Sequence, residues 1–299
     1  FQSDGSRQGT GAMRLGAMRL GKGSVLLGAA ACGFWAAPGM AQDASGGNVF
    51  AGDYVTVGLG VGALPEYSGS DEYRVLPLAG AMGRVGGVSF RLLGPSRTTD
   101  LYDDAPGAPV TLRIGPSLRW GGNRSGKVGD PVVDALPRLK SGFEAGLGLG
   151  VGFKRLVTKY DRMSLGLHTR RDISGRGGGM TWSASMSYYT PVSRAQIVGF
   201  QVSGDFVDGD FARYNYSVTP AGSAASGLPV YRARGGFREV DVGIATVRDL
   251  NGNLLDGGFA IGAGVLYTRL HGSAAKTPIT SQRGSRNQWL GGLGLAYTF

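Results

Sequence analysis

The sequence predicts an all-β protein, a single antiparallel transmembrane β-barrel of about twelve strands, with ten as the alternative number. Three observations predict this fold. Apolar residues alternate with small or polar residues through 51–299, glycine is unusually abundant, and the chain ends on an alternating strand with a terminal aromatic residue. Such strands suit a barrel with lipid outside and a polar lumen inside. A soluble β-sandwich shows the same alternation, so the other features of the sequence decide between the two.

Glycine accounts for 55 of the 299 residues, whereas an average protein contains about 7%. Each glycine inside a helix costs roughly 1 kcal/mol relative to alanine, so this composition disfavours a helical protein. The glycines follow no three-residue period, which excludes collagen. The net charge of +10 is scattered rather than clustered, so we expect no nucleic-acid partner. We expect the basic residues to line the lumen or to contact anionic lipopolysaccharide.

The N-terminal segment 13–41 has the parts of a secretory signal peptide. Its apolar stretch, 25–37, is shorter than the roughly 20 residues that a spanning helix needs. The basic residues before this stretch are Arg14, Arg19 and Lys22. Small residues place the predicted cleavage between Ala41 and Gln42. We therefore predict that the chain is exported through the inner membrane to the cell outer membrane.

Residues 1–12 are interpreted as non-native or upstream leader sequence, because the chain begins with Phe1 rather than methionine. Residues 42–50 are expected to be a short lead-in to the barrel. The single cysteine, Cys32, lies in the predicted signal peptide, so we expect no disulfide or cysteine-bound metal beyond it. The alternative is a lipoprotein acylated at Cys32, which is disfavoured because Ala29 stands where such signals carry leucine.

Alternation and turn residues divide 51–299 into strands. The predicted strands lie near 52–62, 73–83, 86–94, 110–120, 143–155, 160–170, 179–190, 195–206, 211–218, 236–248, 254–269 and 288–299. Aromatic residues mark strand ends, as in the girdles of membrane barrels, at Tyr54, Trp120, Tyr160, Tyr188, Tyr189, Tyr267, Trp289 and Tyr297. Asn251-Gly252 predicts a two-residue hairpin. The segments 121–142 and 219–235 are expected to be extracellular loops.

The last strand carries the most specific local signal. Leu293, Leu295, Tyr297 and Phe299 face one way, and small residues face the other. This pattern resembles the signal by which the barrel-assembly machinery of the outer membrane recognises its substrates. A last strand of this kind would pair with the first strand and close the sheet, which removes both edges.

Several stretches in family order resemble the MipA/OmpV family. They are 57–62, 65–75, 214–220, 226–231, 235–237, 270–279 and 297–299, and together they extend along nearly the whole predicted mature chain. The resemblance implies an outer-membrane barrel linked to peptidoglycan synthesis and remodelling. It also implies that the barrel is a scaffold that joins two partners, a lytic transglycosylase and a peptidoglycan synthase. Other members of the family are connected with osmotic response, adhesion or antibiotic sensitivity.

No residues are predicted to be catalytic, to bind a cofactor or to bind a metal, so we expect no enzyme activity. The alternating glycines of 146–152 continue as a strand rather than entering a helix, which argues against a phosphate loop. The acidic turn 249–256 lacks the glycine and final glutamate of an EF-hand. His168 is predicted to face the lumen, and we identify no nucleophile and carboxylate that converge on it.

One loop between the first two strands is the candidate functional loop. Its residues are Pro65, Glu66, Tyr67, Gly69, Ser70 and Asp71, which combine a tight turn with an acidic rim. The alternative is an ordinary turn without a specific role. Two further functions stay open, a small-solute channel and a surface adhesin that uses the long loops 122–140 and 220–234.

Overall fold

The computed structural model describes residues 48–93, 96–100, 108–177 and 179–299. The predicted leader, the signal peptide and its cleavage between Ala41 and Gln42 lie outside these residues. The described residues form twelve antiparallel strands that close into one barrel, in which each strand pairs with its neighbours in sequence and the last pairs with the first. This confirms the predicted fold class and the strand number of twelve.

The strands are β1 (Tyr54–Pro65), β2 (Tyr73–Val85), β3 (Val88–Leu93), β4 (Ser96–Asp100), β5 (Val110–Gly121), β6 (Gly142–Lys154), β7 (Arg162–Asp172), β8 (Met180–Ser193), β9 (Gln196–Val207), β10 (Gly236–Asp249), β11 (Gly258–Leu270) and β12 (Asn287–Thr298). A short 3-10 helix, Val49–Ala51, precedes β1. Gly86 and Gly87, with φ of 58° and 81°, form the tight turn between β2 and β3, since this hairpin turn needs two positive φ angles.

One predicted strand is wrong, and one strand of the structure was not predicted. The predicted strand 211–218 lies largely in a helix, α2 (Gly209–Tyr216), whose buried residues Phe211, Ala212, Asn215 and Tyr216 recur with helical spacing. The Asp208 side chain begins this helix by accepting a hydrogen bond from the Phe211 N–H at 2.8 Å. Conversely, β4 was not predicted, because its residues, 96–100, are polar and carry no apolar alternation.

The predicted two-residue hairpin at Asn251-Gly252 is also wrong, because β10 ends at Asp249 and β11 begins only at Gly258. The Asp249 carboxylate accepts hydrogen bonds from the backbone N–H groups of Asn251 at 2.8 Å and Asn253 at 2.9 Å. These bonds hold a wider turn in which the acidic group binds the backbone of its own loop.

The outer face of the barrel is apolar, with Leu59 at 72% exposure and Leu167 at 60%. Aromatic rings lie near both ends of the strands. In β12, the Trp289 ring contacts the Tyr267 ring with centroids 4.9 Å apart, and the Tyr297 ring centroid lies 4.7 Å from that of Phe259. Trp289 and Tyr297 are separated by about 26 Å along the strand at 3.3 Å per residue, or about 20 Å along the normal of a tilted strand. This spacing suits the apolar band of a membrane barrel.

Two predicted girdle residues are not on the outer face. Tyr54 faces the lumen, since it shares the parity of the buried Thr56 on β1 rather than that of the exposed Leu59. Tyr189 points into the lumen, where it packs against a buried apolar cluster of Ile197, Val247 and Leu254. Its neighbour Tyr188 lies on the opposite face of β8, since successive side chains alternate. Within the part of the chain that the structure describes, no helix is long and apolar enough to cross a membrane.

The two ends of the barrel differ. At one end, here called the terminal end, lie residue 48, Phe299 and the turns 86–87, 155–161, 194–195 and 250–257. At the other end, called the loop end, lie the connections 66–72, 122–141, 173–177, 208–235 and 271–286. The predicted long loops 121–142 and 219–235 both belong to the loop end.

Candidate functional site

The loop end is covered by a folded layer that we call the cap, formed by 66–72, 122–141, 208–235 and 271–286. Besides α2, the cap contains four helices among the described residues: α1 (Pro131–Asp134), α3 (Pro220–Ser226), α4 (Gly272–Lys276) and α5 (Pro278–Ser281). Side chains begin two of these helices by accepting hydrogen bonds from backbone N–H groups, Asp130 for α1 and Thr219 for α3. The long loops are therefore ordered structures.

The cap has apolar cores of its own. The first contains Tyr67, Val128, Val133, Leu136, Val218, Leu228 and Ile279, none more than 5% exposed. The second contains Val207, Phe211, Ala212, Tyr216, Ala233, Leu270 and Ala274. The first core draws residues from four connections that leave the barrel at different points of its circumference. These connections therefore meet across the mouth of the barrel and pack against one another.

The candidate functional loop lies at the centre of this packing. Tyr67 is 0% exposed, Ser70 is 1% exposed, and Pro65 and Gly69 are also buried. Glu66 is partly buried and its carboxylate accepts a hydrogen bond from the Gly129 N–H at 2.6 Å. Of the predicted residues only Asp71 is exposed. The loop therefore lies mostly inside the cap.

Hydrogen bonds tie this loop to the other parts of the cap. The Ser68 N–H donates to Asn123 Oδ1 at 3.2 Å, and the Ser68 hydroxyl lies 3.0 Å from the Tyr216 hydroxyl. Gln288, which is 0% exposed, accepts from the Gly69 N–H at 3.1 Å and donates to the Ser70 carbonyl at 2.9 Å. Burial raises the pKa of the Tyr216 phenol, so this group stays protonated and can donate or accept.

An ion pair between Asp130 and Arg283 joins the N-terminus of α1 to the connection 271–286. Asp130 accepts hydrogen bonds from the backbone of Val132 at 2.8 Å and Val133 at 3.0 Å, and from Arg283 Nε at 2.9 Å. Burial alone would raise the pKa of the Asp130 carboxyl, but these bonds and the Arg283 charge hold it below its usual value. Asp130 is therefore a charged anchor of the cap at neutral pH.

Beneath the cap, one wall of the lumen carries arginines and carboxylates from β5, β6 and β7. Glu144, which is 2% exposed, binds Arg119 and, at 3.3 Å, Arg176. Arg176 Nε also lies 3.0 Å from Asp172, and Arg170 Nε donates to the Ser117 hydroxyl at 2.7 Å. Burying a charge is costly unless a partner compensates it, and each charged side chain named here has an ion-pair or hydrogen-bond partner.

The wall formed by β9, β10 and β11 carries a second cluster, which depends on a β-bulge. The register between β9 and β10 shifts between Phe237 and Glu239, so that Arg238 and Glu239 are both buried although they are adjacent in sequence. Arg238 binds Asp205 and Glu239, and its guanidinium lies 5.7 Å from the Phe211 ring of α2. The bulge therefore connects the lumen charges to the cap.

The predicted lumen histidine, His168, lies on the inner face of β7, as its alternation predicted. Its neighbour on β8 is Ser183. A Cβ atom on Gly148 would stand 2.7 Å from His168 Nδ1, so the glycine makes room for the imidazole. Among the described residues, no group of three or more His, Cys, Asp and Glu side chains is placed to hold a metal ion.

The terminal strand closes the barrel. It pairs with β1 from Ala63 opposite Gly291 to Thr56 opposite Thr298, where the two hydroxyls lie 2.8 Å apart. The side chains of the predicted assembly signal lie on the outer face, with Leu293 56%, Leu295 51% and Phe299 67% exposed and Tyr297 partly buried. Recognition by the assembly machinery stays a prediction.

Sequence reasoning missed several residues that build the cap and the lumen clusters. Asn123 and Gln288 join distant parts of the chain, and nothing in their local sequence signals this. Arg238 and Glu239 did offer a signal, because two adjacent charges interrupt the alternation of a strand and so indicate a bulge.

Comparison with known proteins gives the family. A sequence profile described as MltA-interacting protein MipA matches residues 57–299. No curated protein sequence matches the chain. Among solved structures, the chain is similar to in-vitro folded OmpT of Vibrio cholerae, with 6% identity, a TM-score of 0.38 and coverage of 83% of this chain and 97% of that one. It is also similar to the anion-selective porin from Comamonas acidovorans, with 10% identity, a TM-score of 0.36 and coverage of 83% and 98%.

Proposed function

Because this chain belongs to the MltA-interacting protein (MipA) family of outer-membrane β-barrels, we propose that it is a non-enzymatic scaffold that anchors enzymes of peptidoglycan synthesis and remodelling. The proposed partners are a lytic transglycosylase, as the family description suggests, and a peptidoglycan synthase. The observation that carries this proposal is the cap, because a barrel whose mouth is filled by packed loops is suited to anchoring rather than to passage of solutes.

Burial within the cap and charge pairing in the lumen both support this choice over a channel. Tyr67 and Ile279, at 0% and 2% exposure, meet in the apolar core over the mouth. Below them Glu144 and Asp205 are bound by arginines. An open, solute-selective lumen would instead present unpaired charges to water, and moving these loops aside would expose their apolar cores.

The terminal end is the surface that we propose for the partners. Barrels of this class place short turns and both termini in the periplasm and long loops outside the cell, and peptidoglycan enzymes act in the periplasm. The turn 155–161 projects there with Val157 at 81% and Leu156 at 49% exposure. Asp161 fixes its shape by accepting hydrogen bonds from the N–H groups of Leu156 and Val157, each at 2.7 Å.

A site-specific crosslinking experiment tests this proposal. A photo-crosslinking amino acid is placed at Val157 or at Leu250, which is 56% exposed in another turn of the terminal end, 250–257. We expect crosslinks in cells to a lytic transglycosylase and a peptidoglycan synthase. The matched control is the exposed cap residue Lys127, which should give no such crosslinks. Capture of these enzymes from Lys127 alone, or from none of the three positions in normally inserted barrels, would refute the proposal.

The remaining partners follow from the surface of the barrel. We propose that exposed arginines at the loop end, among them Arg269 two positions beyond the girdle residue Tyr267, contact lipopolysaccharide phosphates. The outward residues of β12 would be read by the assembly machinery and would then face outer-membrane lipid. Neither contact needs a cofactor or a metal.

A further inference from the structure

One cation of the cap has no partner that explains its burial. Arg124 is 6% exposed, and its Nε is buried without a hydrogen-bond partner. Within residues 48–93, 96–100, 108–177 and 179–299, no carboxylate is in ion-pair contact with its guanidinium. The other buried arginines of the site differ. Arg119 binds Glu144 and Arg238 binds Asp205. Arg170 donates from Nε to the Ser117 hydroxyl at 2.7 Å and has carboxylates, Asp205 and Glu144, in its surroundings. An unpaired buried charge is strongly unfavourable, so this position requires an explanation.

The groups around Arg124 do not neutralise it. The titratable groups that act on it are Tyr67 and Tyr214, and a tyrosine phenol carries no charge at neutral pH. Both hydroxyls already donate to backbone carbonyls, Tyr67 to Arg283 at 3.4 Å and Tyr214 to Lys140 at 3.2 Å. Burial lowers the pKa of Arg124 to about 10, a value that still leaves the guanidinium charged at neutral pH.

The backbone at this residue is also in an unusual conformation. Arg124 has φ of 48°, and only one other described residue that is not glycine, Arg155, has a positive φ. A left-handed conformation costs a non-glycine residue free energy and persists where the surrounding structure enforces it, often at ligand sites. Here the neighbours enforce it, because Asn123 bonds Ser68 and Asn215 and the Arg124 carbonyl accepts from the Leu139 N–H at 3.3 Å.

We propose that Arg124 is the centre of a binding site within the cap for a small oxyanion group, a phosphate or a carboxylate. The planar guanidinium can bind both oxygens of such a group through two parallel hydrogen bonds, and the buried setting strengthens the attraction. The group belongs either to a free solute or to a phosphorylated lipid headgroup whose end reaches into the cap. This site is independent of the scaffold function, since it lies at the end opposite to the proposed partner surface.

The test compares the stability of the folded protein in phosphate and in chloride at equal ionic strength. Unfolding is followed for the parent protein, for Arg124→Gln and for Arg138→Gln, a matched control in the same connection whose side chain is 58% exposed. We expect saturable stabilisation of the parent and of Arg138→Gln by phosphate. At nine times the dissociation constant, the folded-to-unfolded ratio should rise about tenfold. Arg124→Gln should show no phosphate effect and should be more stable than the parent in chloride.

A second arm distinguishes the source of the anion and guards against a variant that does not fold. Micelles containing phosphorylated lipid A are compared with free phosphate, and stabilisation by the micelles alone assigns the group to a lipid headgroup. Arg124→Lys keeps the charge but loses the paired hydrogen bonds, so its affinity for the effective anion should fall at least tenfold. An equal response of Arg124→Gln or Arg124→Lys and the parent, or a parent that responds to neither anion source, overturns the proposal.

Discussion

Replacing Tyr67 with alanine should open the cap while leaving the barrel intact. The side chain is 0% exposed and packs in the first cap core with Val133 and Ile279. An aromatic side chain of this kind buries 150–250 Å², which at about 25 cal/mol per Å² gives an upper limit of roughly 4–6 kcal/mol. Measured losses for replacing buried aromatic residues with alanine are about 3–5 kcal/mol. We therefore expect the free energy of cap opening to fall by that amount.

Tyr67→Phe is the matched control. It keeps the ring and loses one hydrogen bond, from the Tyr67 hydroxyl to the Arg283 carbonyl, which is long at 3.4 Å. A hydrogen bond contributes about 1 kcal/mol or less at such a length, so the change in cap opening should be at most about fivefold. The alanine variant should instead increase opening by at least about a hundredfold, since each 1.4 kcal/mol is a factor of ten.

Hydrogen exchange of the folded protein measures these opening equilibria directly. In Tyr67→Ala, amides of α1 and α3 should exchange at least about a hundredfold faster, whereas amides of the central barrel strands should keep the parent rates. The reasoning is refuted if Tyr67→Ala and Tyr67→Phe behave alike, or if the strands lose protection together with the cap.

Three further predictions concern individual contacts. Gly69→Ala should destabilise the cap by about 1–3 kcal/mol, because Gly69 has φ of 102° and a Cβ atom there would lie 2.2 Å from Thr280 Oγ1. The loss should be seen as faster proteolysis of the cap, and unchanged proteolysis would contradict this. The depressed pKa of Asp130 means that its stabilisation of the cap is fully present above the ordinary carboxyl value of about 4 and is lost as pH falls through the lower folded-state value. Asp130→Asn should remove this acid dependence of α1 exchange, and a pH profile identical to the parent would exclude the mechanism. His168→Ala should leave folding and partner crosslinking unchanged, since His168 faces the lumen and the proposed partner surface lies at the terminal end. A hydrolytic activity that this variant loses would contradict the proposal of a non-enzymatic scaffold.

The barrel was predictable from sequence because the alternation of apolar and polar residues along a strand is a local, repeating pattern. Alternation along β11 and β12 predicts which side chains face lipid, and the aromatic residues at opposite ends of β12, Trp289 and Tyr297, predict the height of the apolar band. The closing strand was predictable for the same reason. The prediction of strands failed where the alternation of apolar residues is weak, as in the polar strand β4. It also failed at 211–218, where aromatic residues suggest a strand but the Asp208 cap begins a helix.

The cap could not be predicted, because its contacts join residues far apart in sequence. Val218 and Ile279 are isolated apolar residues in segments rich in polar residues, glycine and proline, and only the closed barrel brings them together with Val133. The candidate functional loop was singled out from its turn and acidic residues, but its most buried residue is Tyr67. Likewise, nothing near Arg124 in sequence shows that its guanidinium is buried without a counterion.

The central claim is that the cap closes the barrel, and single-channel conductance of the refolded protein in a planar bilayer tests it most directly. Heat-modifiable shift on electrophoresis first verifies that the inserted protein is folded. We predict that the parent protein is silent at moderate voltage, because the cap cores and the paired charges of the lumen fill the path. Discrete, reproducible conductance steps from the folded parent would contradict the claim and would make transport the leading function.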